Sequence, residues 1–247
     1  FPVIYVRGDV VAFGGRIVDK NDPGAKYMNS PETIIYSKRR VLYGLNLAKK
    51  TKRPNIILCE ENLDVVTLHQ AGFDNAVASM GTALTVEQTR LLSRFTKELV
   101  LCYDNDNAGK IATERALQIL NGSEFSVKVL QLPRRLVDGE YIKQDADDFI
   151  KFQGPDAFER LLNGSENGVE FRMAQIAGKY DLKDDEARIA YCGEVSELLA
   201  SLPGAVEREI YGGHAAQITQ ADDQRQHGGG HDAPDELRYP VAYEILA

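Results

Sequence analysis

Nowhere in the 247 residues do 18 apolar side chains run consecutively, so no segment reads as a membrane span. The opening residues, FPVIYVRGDV, have neither a basic n-region nor an apolar h-region, which excludes a signal peptide. The chain starts without Met and reads as a fragment that begins inside a larger protein. Cysteine is scarce. Cys59, Cys102 and Cys192 are odd in number and form no CxxC, which excludes a disulfide framework and a cysteine zinc site. Each sits in an apolar context and is expected to be buried and reduced, as in cytoplasm. Histidine is scarce too. His227 and His231 flank three glycines, which do not hold a helix, so they read as linker rather than metal site. His69 reads as a structural or surface residue. No Ser/His/Asp or Cys/His triad and no internal repeat is present.

What is present is a globular composition, 43% hydrophobic and 27% charged. A chain of this length buries roughly 70–75% of its surface on folding. The net charge of −8 is unevenly spread. Residues 1–53 hold eleven Lys and Arg against four Asp and Glu, and the remainder holds 18 against 33. A basic lobe suits an anionic partner, and an acidic one suits metal cations.

The pattern predicts two short strands in 2–18 around the turn Arg7-Gly8-Asp9, with glycines at 14 and 15 that admit another backbone. A loop covers 19–25, and a basic helix is expected over 36–50. Strands and helices then alternate. Strands are expected at 55–59, 76–79, 99–103 and 126–132. Helices are expected at 63–70, after the Thr85 cap with Glu87 in its first turn, and at 108–120. Such alternation indicates a parallel sheet with covered faces. Helices follow at 155–163, 167–180, 184–201 and 204–219, and 221–236 is linker by composition. The fold class is α/β (α+β overall).

In an open parallel sheet, function collects beyond the carboxyl ends of the strands. Glu60 directly follows one strand, with Asp64 a helical turn on. Asp104 and Asp106 directly follow the strand at 99–103, and Asp145, Asp147 and Asp148 follow the fourth strand after a loop. So many carboxylates in one crevice repel unless cations neutralise them. Mg²⁺ takes oxygen ligands and keeps several waters, so two or three Asp groups plus substrate phosphates suit it. One Asp-x-Asp alone also serves caps and turns; three acidic groups at successive strand ends are far more specific.

Strand–Glu followed by strand–Asp-x-Asp–x–x–Gly–helix resembles the Toprim fold of primases, topoisomerases and some nucleases. FGGR (Phe13–Arg16), KYMNSPET (Lys26–Thr33), LYGL (Leu42–Leu45), ASMGTALT (Ala78–Thr85) and EREIY (Glu207–Tyr211) resemble, in order, the RNA polymerase domain of bacterial DnaG-type primases. The resemblance implies a basic N-terminal subdomain (1–53, partial), a Toprim metal-binding subdomain with a central parallel sheet (54–153), a helical subdomain (154–220), and linker and tail (221–247). It implies short RNA primers made on single-stranded DNA from nucleoside triphosphates, with two or three Mg²⁺ or Mn²⁺ ions and no zinc. Glu60, Asp104 and Asp106 are then catalytic. Those three with Asp145 and Asp147 surround the metals, and Asp64 supports them. Arg16, Lys26, Tyr27, Asn29 and Lys38 match positions that bind nucleotide or template; Arg39 and Arg40 adjoin them. Template grip should be largely sequence-independent and salt-dependent. A replicative helicase is expected as partner through domains outside the chain, and no membrane. The family usually has Gly where Glu61 and Asn105 stand; Asn tolerates the left-handed backbone such a turn needs. The alternatives are a Toprim nuclease or topoisomerase fragment, and a non-catalytic nucleotide- and metal-binding module.

Overall fold

The structure is a computed structural model that describes residues 1–17, 19, 24, 27–80, 83–137 and 140–227. It divides into two units, Phe1–Glu166 and Asn167–Ala247.

The first unit opens with a small antiparallel sheet, β1 (Pro2–Ile4), β2 (Val10–Arg16) and β3 (Tyr27–Asn29), in that order. The reversal between β1 and β2 uses Gly8 at φ 112°, a backbone that side chains rarely adopt. Gly14 gives clearance to side chains rather than to another backbone. A Cβ there would stand 2.7 Å from Asn62 Nδ2 and 2.9 Å from Asn29 Oδ1. Val3, Ala12, Tyr36, Val41 and Met80 bury the sheet's inner face.

The long basic helix expected over 36–50 is absent. Lys38–Arg40 forms a 3₁₀ turn, and α1 is only Leu45–Ala48. Two features break the helix. Gly44 is left-handed at φ 82°, and Tyr43 is drawn into a backbone bridge with Ala78.

Four parallel strands form the centre: β4 (Asn55–Cys59), β5 (Ala76–Ala78), β6 (Glu98–Cys102) and β7 (Ser126–Val129). Their spatial order is β7-β6-β4-β5. β4 is buried at all five positions, as a short continuous apolar run requires of a strand covered on both faces. Helices α2 (Asn62–Gln70), α3 (Val86–Leu92) and α4 (Asn107–Leu120) connect the strands. Thr85 caps α3, but Gln88 rather than Glu87 closes the capping box. Because β5 lies on one side of β4 and β6 on the other, the chain changes direction between β4 and β6. Their carboxyl ends therefore flank a topological switch point, where such sheets open a crevice.

A hairpin that the sequence pattern did not suggest follows β7: β8 (Arg135–Val137) and β9 (Glu140–Ile142). Helices α5 (Ala146–Gln153) and α6 (Pro155–Asn163) then close the unit. Phe158 is fully buried between Phe73 and Phe149, with ring centroids 4.8 and 6.1 Å away.

The second unit is helical: α7 (Gly168–Ala177), α8 (Asp185–Ala200) and α9 (Ala205–His227). Asn167 and Asp184 cap the first two by accepting from Val169 N and Ala187 N, each at 2.8 Å. Tyr191, Val195 and Leu198 carry the buried stripe of α8. That spacing turns Cys192 outward, so it is exposed, contrary to expectation; Cys59 and Cys102 are buried. Helix α9 runs seven residues into the stretch read as linker, and His231 lies outside the described residues. No helix among the described residues is long and apolar enough to cross a membrane.

Candidate active site

Glu60 leaves the end of β4 and reaches across the switch point, where its Oε1 accepts the Asp104 N–H at 3.0 Å. Burial raises the Glu60 pKa, and the charges of Asp104 and Asp106 add to it; the hydrogen bond partly offsets them. Asp104 stands two residues beyond β6. Asp106 is the N-cap of α4, and its Oδ1 accepts from Gly109 N at 2.9 Å. Asn105, between them, is buried and donates Nδ2 to the Leu132 carbonyl at 3.3 Å. It does not use the left-handed backbone: Met80, at φ 62°, is the non-glycine residue with positive φ among those described. Its side chain ties the loop down instead.

The two aspartates face one cation. Lys143 Nζ lies 2.8 Å from Asp106 Oδ2 and 3.4 Å from Asp104 Oδ2. Their pKa values move apart. The hydrogen bond from Lys143 holds Asp106 below its ordinary value, whereas burial carries Asp104 above it despite the same lysine. One pair of carboxylates thus has two electrostatic characters.

The third acidic group opens α5. Asp145 is its N-cap and accepts from Asp148 N at 2.7 Å. Asp145, Asp147 and Asp148 each offer an oxygen within 4.8 Å of the others'. Asp147 is nonetheless buried and engaged at both oxygens, by Thr67 Oγ1 and by Lys151 Nζ, each donating at 2.5 Å. Asp64 lies beneath. Its Oδ1 accepts from Asp147 N and its Oδ2 from Glu61 N, both at 3.3 Å. Burial, followed by the charges of Asp145 and Asp104, pushes the Asp64 carboxyl up to about 8. Through its two hydrogen bonds Asp64 ties the first turn of α5 to the first turn of α2.

The basic flank meets the acidic groups through β3. Arg16 pairs with Tyr27 across β2 and β3, its guanidinium 5.7 Å from the ring centre. Burial raises the Tyr27 pKa; Arg16 lowers it, and Glu61, Asp64 and Asp145 raise it further. Tyr27 thus feels both the guanidinium and the carboxylates. Asn29 donates Nδ2 to Met80 O at 3.2 Å, fixing β3 against the segment after β5. Lys38 is held through its main chain, its N–H on Glu32 and its carbonyl on Gln88. Lys26 lies outside the described residues. His69 has a structural bond, Nε2 to Ala76 O at 2.9 Å.

Lys143, Thr67 and Lys151 escape sequence reading. A lysine two residues before an Asp-x-Asp motif was the one available hint, and nothing local tells it from a solvated charge.

Three family models match the chain. A Toprim-like model matches residues 57–150, the N-terminal domain of the DNA primase catalytic core matches 1–49, and a DnaB-helicase binding domain of primase matches 169–224. The last match falls inside the chain rather than beyond its end. A DNA primase from Clostridium acetobutylicum is 40% identical over 212 residues, covering 85% of this chain and 34% of that protein. The chain thus spans about a third of the length of the curated relatives it matches. A crystal structure of a DNA primase domain from Pseudomonas aeruginosa superposes with TM-score 0.71 at 31% identity, covering 92% of this chain and 71% of that one. A DnaG primase catalytic domain bound to ssDNA superposes with TM-score 0.69 at 33% identity, covering 90% and 68%.

Proposed function

The chain belongs to the bacterial DnaG-type primase family, and from that premise we propose that it carries the catalytic core of a DNA-directed RNA polymerase, which makes short RNA primers on single-stranded DNA. The observation that carries this reading is the convergence of Asp104 and Asp106 on one cation, with Glu60 bonded to the Asp104 main chain.

The donor set fits Mg²⁺ or Mn²⁺. It is all carboxylate oxygen, at strand ends, with two Asp groups already sharing a positive charge. Asp104, Asp106 and Glu60 would hold one ion, and Asp145 with Asp147 a second or third. Asp147 would have to give up its bond from Lys151 to do so. Bound there, such ions neutralise charge on the attacking and leaving oxygens of an in-line phosphoryl transfer. In that transfer a primer 3′ hydroxyl forms a bond to the α-phosphorus of a nucleoside triphosphate, and pyrophosphate departs.

This chain's residues orient and balance that step. Glu60, with its raised pKa, is a proton acceptor for the hydroxyl or a further ligand. Asp64 holds Asp147 and Glu61 by their N–H groups and so keeps the acidic loops in register. Arg16, Tyr27 and Asn29, with Lys26 and Lys38, bind triphosphate or template. The division proposed is basic 1–53, then a metal-binding part from 54 against which α6 packs through Phe158, then a helical part through α9, and linker and tail beyond it. The helicase meets the segment 169–224, and the protein works at the cytoplasmic replication fork.

The test is primer synthesis from labelled ribonucleotides on single-stranded DNA, with Mg²⁺, Mn²⁺ or chelator. Metal-dependent RNA that disappears in Asp104→Asn is the expected result. Metal-dependent cleavage of the DNA with no RNA would favour a Toprim nuclease and overturn the reading.

A further inference from the structure

We infer that Lys143 is a built-in counter-cation of the Asp104–Asp106 pair, whose place on those oxygens a divalent metal ion takes. The inference rests on the metal-dependent reading above and adds a residue that sets how readily the site loads.

One ammonium bridges two carboxylates of a single loop, 2.8 Å from one and 3.4 Å from the other. The carboxylates are the fixed partners. Asp106 is pinned by Gly109 N, and the Asp104 main chain by Glu60. Lys143 is the movable one. It follows β9, whose three residues are all exposed. Its side chain is 58% exposed, against 28% for Asp104 and 36% for Asp106. A released lysine therefore enters water at little cost, with its long stem free to swing.

Charge sets the direction of exchange. With the ammonium in place, the two carboxylates keep one negative charge unmatched. A divalent cation on the same Oδ2 atoms neutralises both, and hard oxygen ligands suit it. The ammonium thus keeps the like-charged pair together before loading and competes with the metal during it. Competition makes a prediction opposite to that for a supporting residue: removing the lysine's charge must tighten metal binding.

The experiment titrates the 247-residue chain with Mn²⁺ alone and measures free Mn²⁺ by electron paramagnetic resonance. Lys143→Gln should bind about two- to fivefold tighter than the parent, the range expected for losing one half-exposed ion pair. Lys143→Arg retains a cation and should stay near the parent, and Asp104→Asn should lose the site. In the unmutated protein, Mg²⁺ should shift the Lys143 side-chain signal in labelled-lysine NMR, and Asp104→Asn should abolish that shift. Equal or weaker binding by Lys143→Gln, with Asp104→Asn still inactive in binding, would overturn the inference while leaving the metal site standing. Absence of Mn²⁺ binding in parent and Lys143→Gln alike would remove the metal-dependent reading itself, and the inference with it.

Discussion

Gly109→Ala should damage the site without touching a single charged group. Gly109 is the third residue of α4, and a Cβ there would lie 1.9 Å from the Asp104 carbonyl oxygen, 2.7 Å from its carbon and 3.0 Å from its nitrogen. Ordinary contact begins at 3.4 Å, so helix and loop must separate by about 1.5 Å. All three atoms are backbone, and no rotamer change relieves the clash. If the loop yields, the Asp104 N–H leaves Glu60 Oε1 and the carboxylate leaves its pair. If the helix yields, the Asp106 cap on Gly109 N is lost. Overpacking costs about 1–3 kcal/mol and a lost cap about 1, so urea denaturation should show a loss of about 2–4 kcal/mol. A 1 Å displacement of reacting groups can lower rates by about 10², so nucleotide incorporation should fall at least that far. An alanine variant with parental stability and parental Mn²⁺ affinity would refute the packing argument.

Other changes follow from the same structure. Gly193, mid-helix in α8, has no atom within 4 Å of an added Cβ, so Gly193→Ala should stabilise by about 1 kcal/mol in thermal or urea denaturation. Phe158→Ala empties the centre of the Phe73–Phe149 cluster and should cost about 3–5 kcal/mol by the same measurement. Asp64 takes up a proton far more readily folded, at about 8, than unfolded, near its ordinary 3.8. Stability measured without metal should therefore fall as pH rises from about 4 to 8, by at most about 1.4 kcal/mol per pH unit. Asp64→Asn should flatten that slope; an unchanged slope would contradict the protonated carboxyl.

Most of the sheet was legible because β4, β5 and β6 are short apolar runs bounded by breakers, and β4 and β6 are buried wherever NIILC and LVLC demand it. The strand-end carboxylates were legible for the same reason, since the apolar runs that end at Cys59 and Tyr103 put Glu60 and Asp104 next in the chain. What was illegible is tertiary. A basic run over 36–50 looks helical until Ala78 claims Tyr43 for a bridge. Lys143 finds Asp106 across 37 residues, and Thr67 finds Asp147 across 80. No local pattern announces either pairing. Cys192 was misread because its apolar neighbours lie on the other side of the helix.

The claim that Asp104 and Asp106 hold the catalytic metal is tested most directly by anomalous diffraction from crystals soaked in Mn²⁺. The account predicts a peak in contact with both carboxylates beside Glu60, with the Lys143 ammonium displaced from them. Anomalous density confined to Asp145, Asp147 and Asp148, with Lys143 still seated on Asp104 and Asp106, would contradict it.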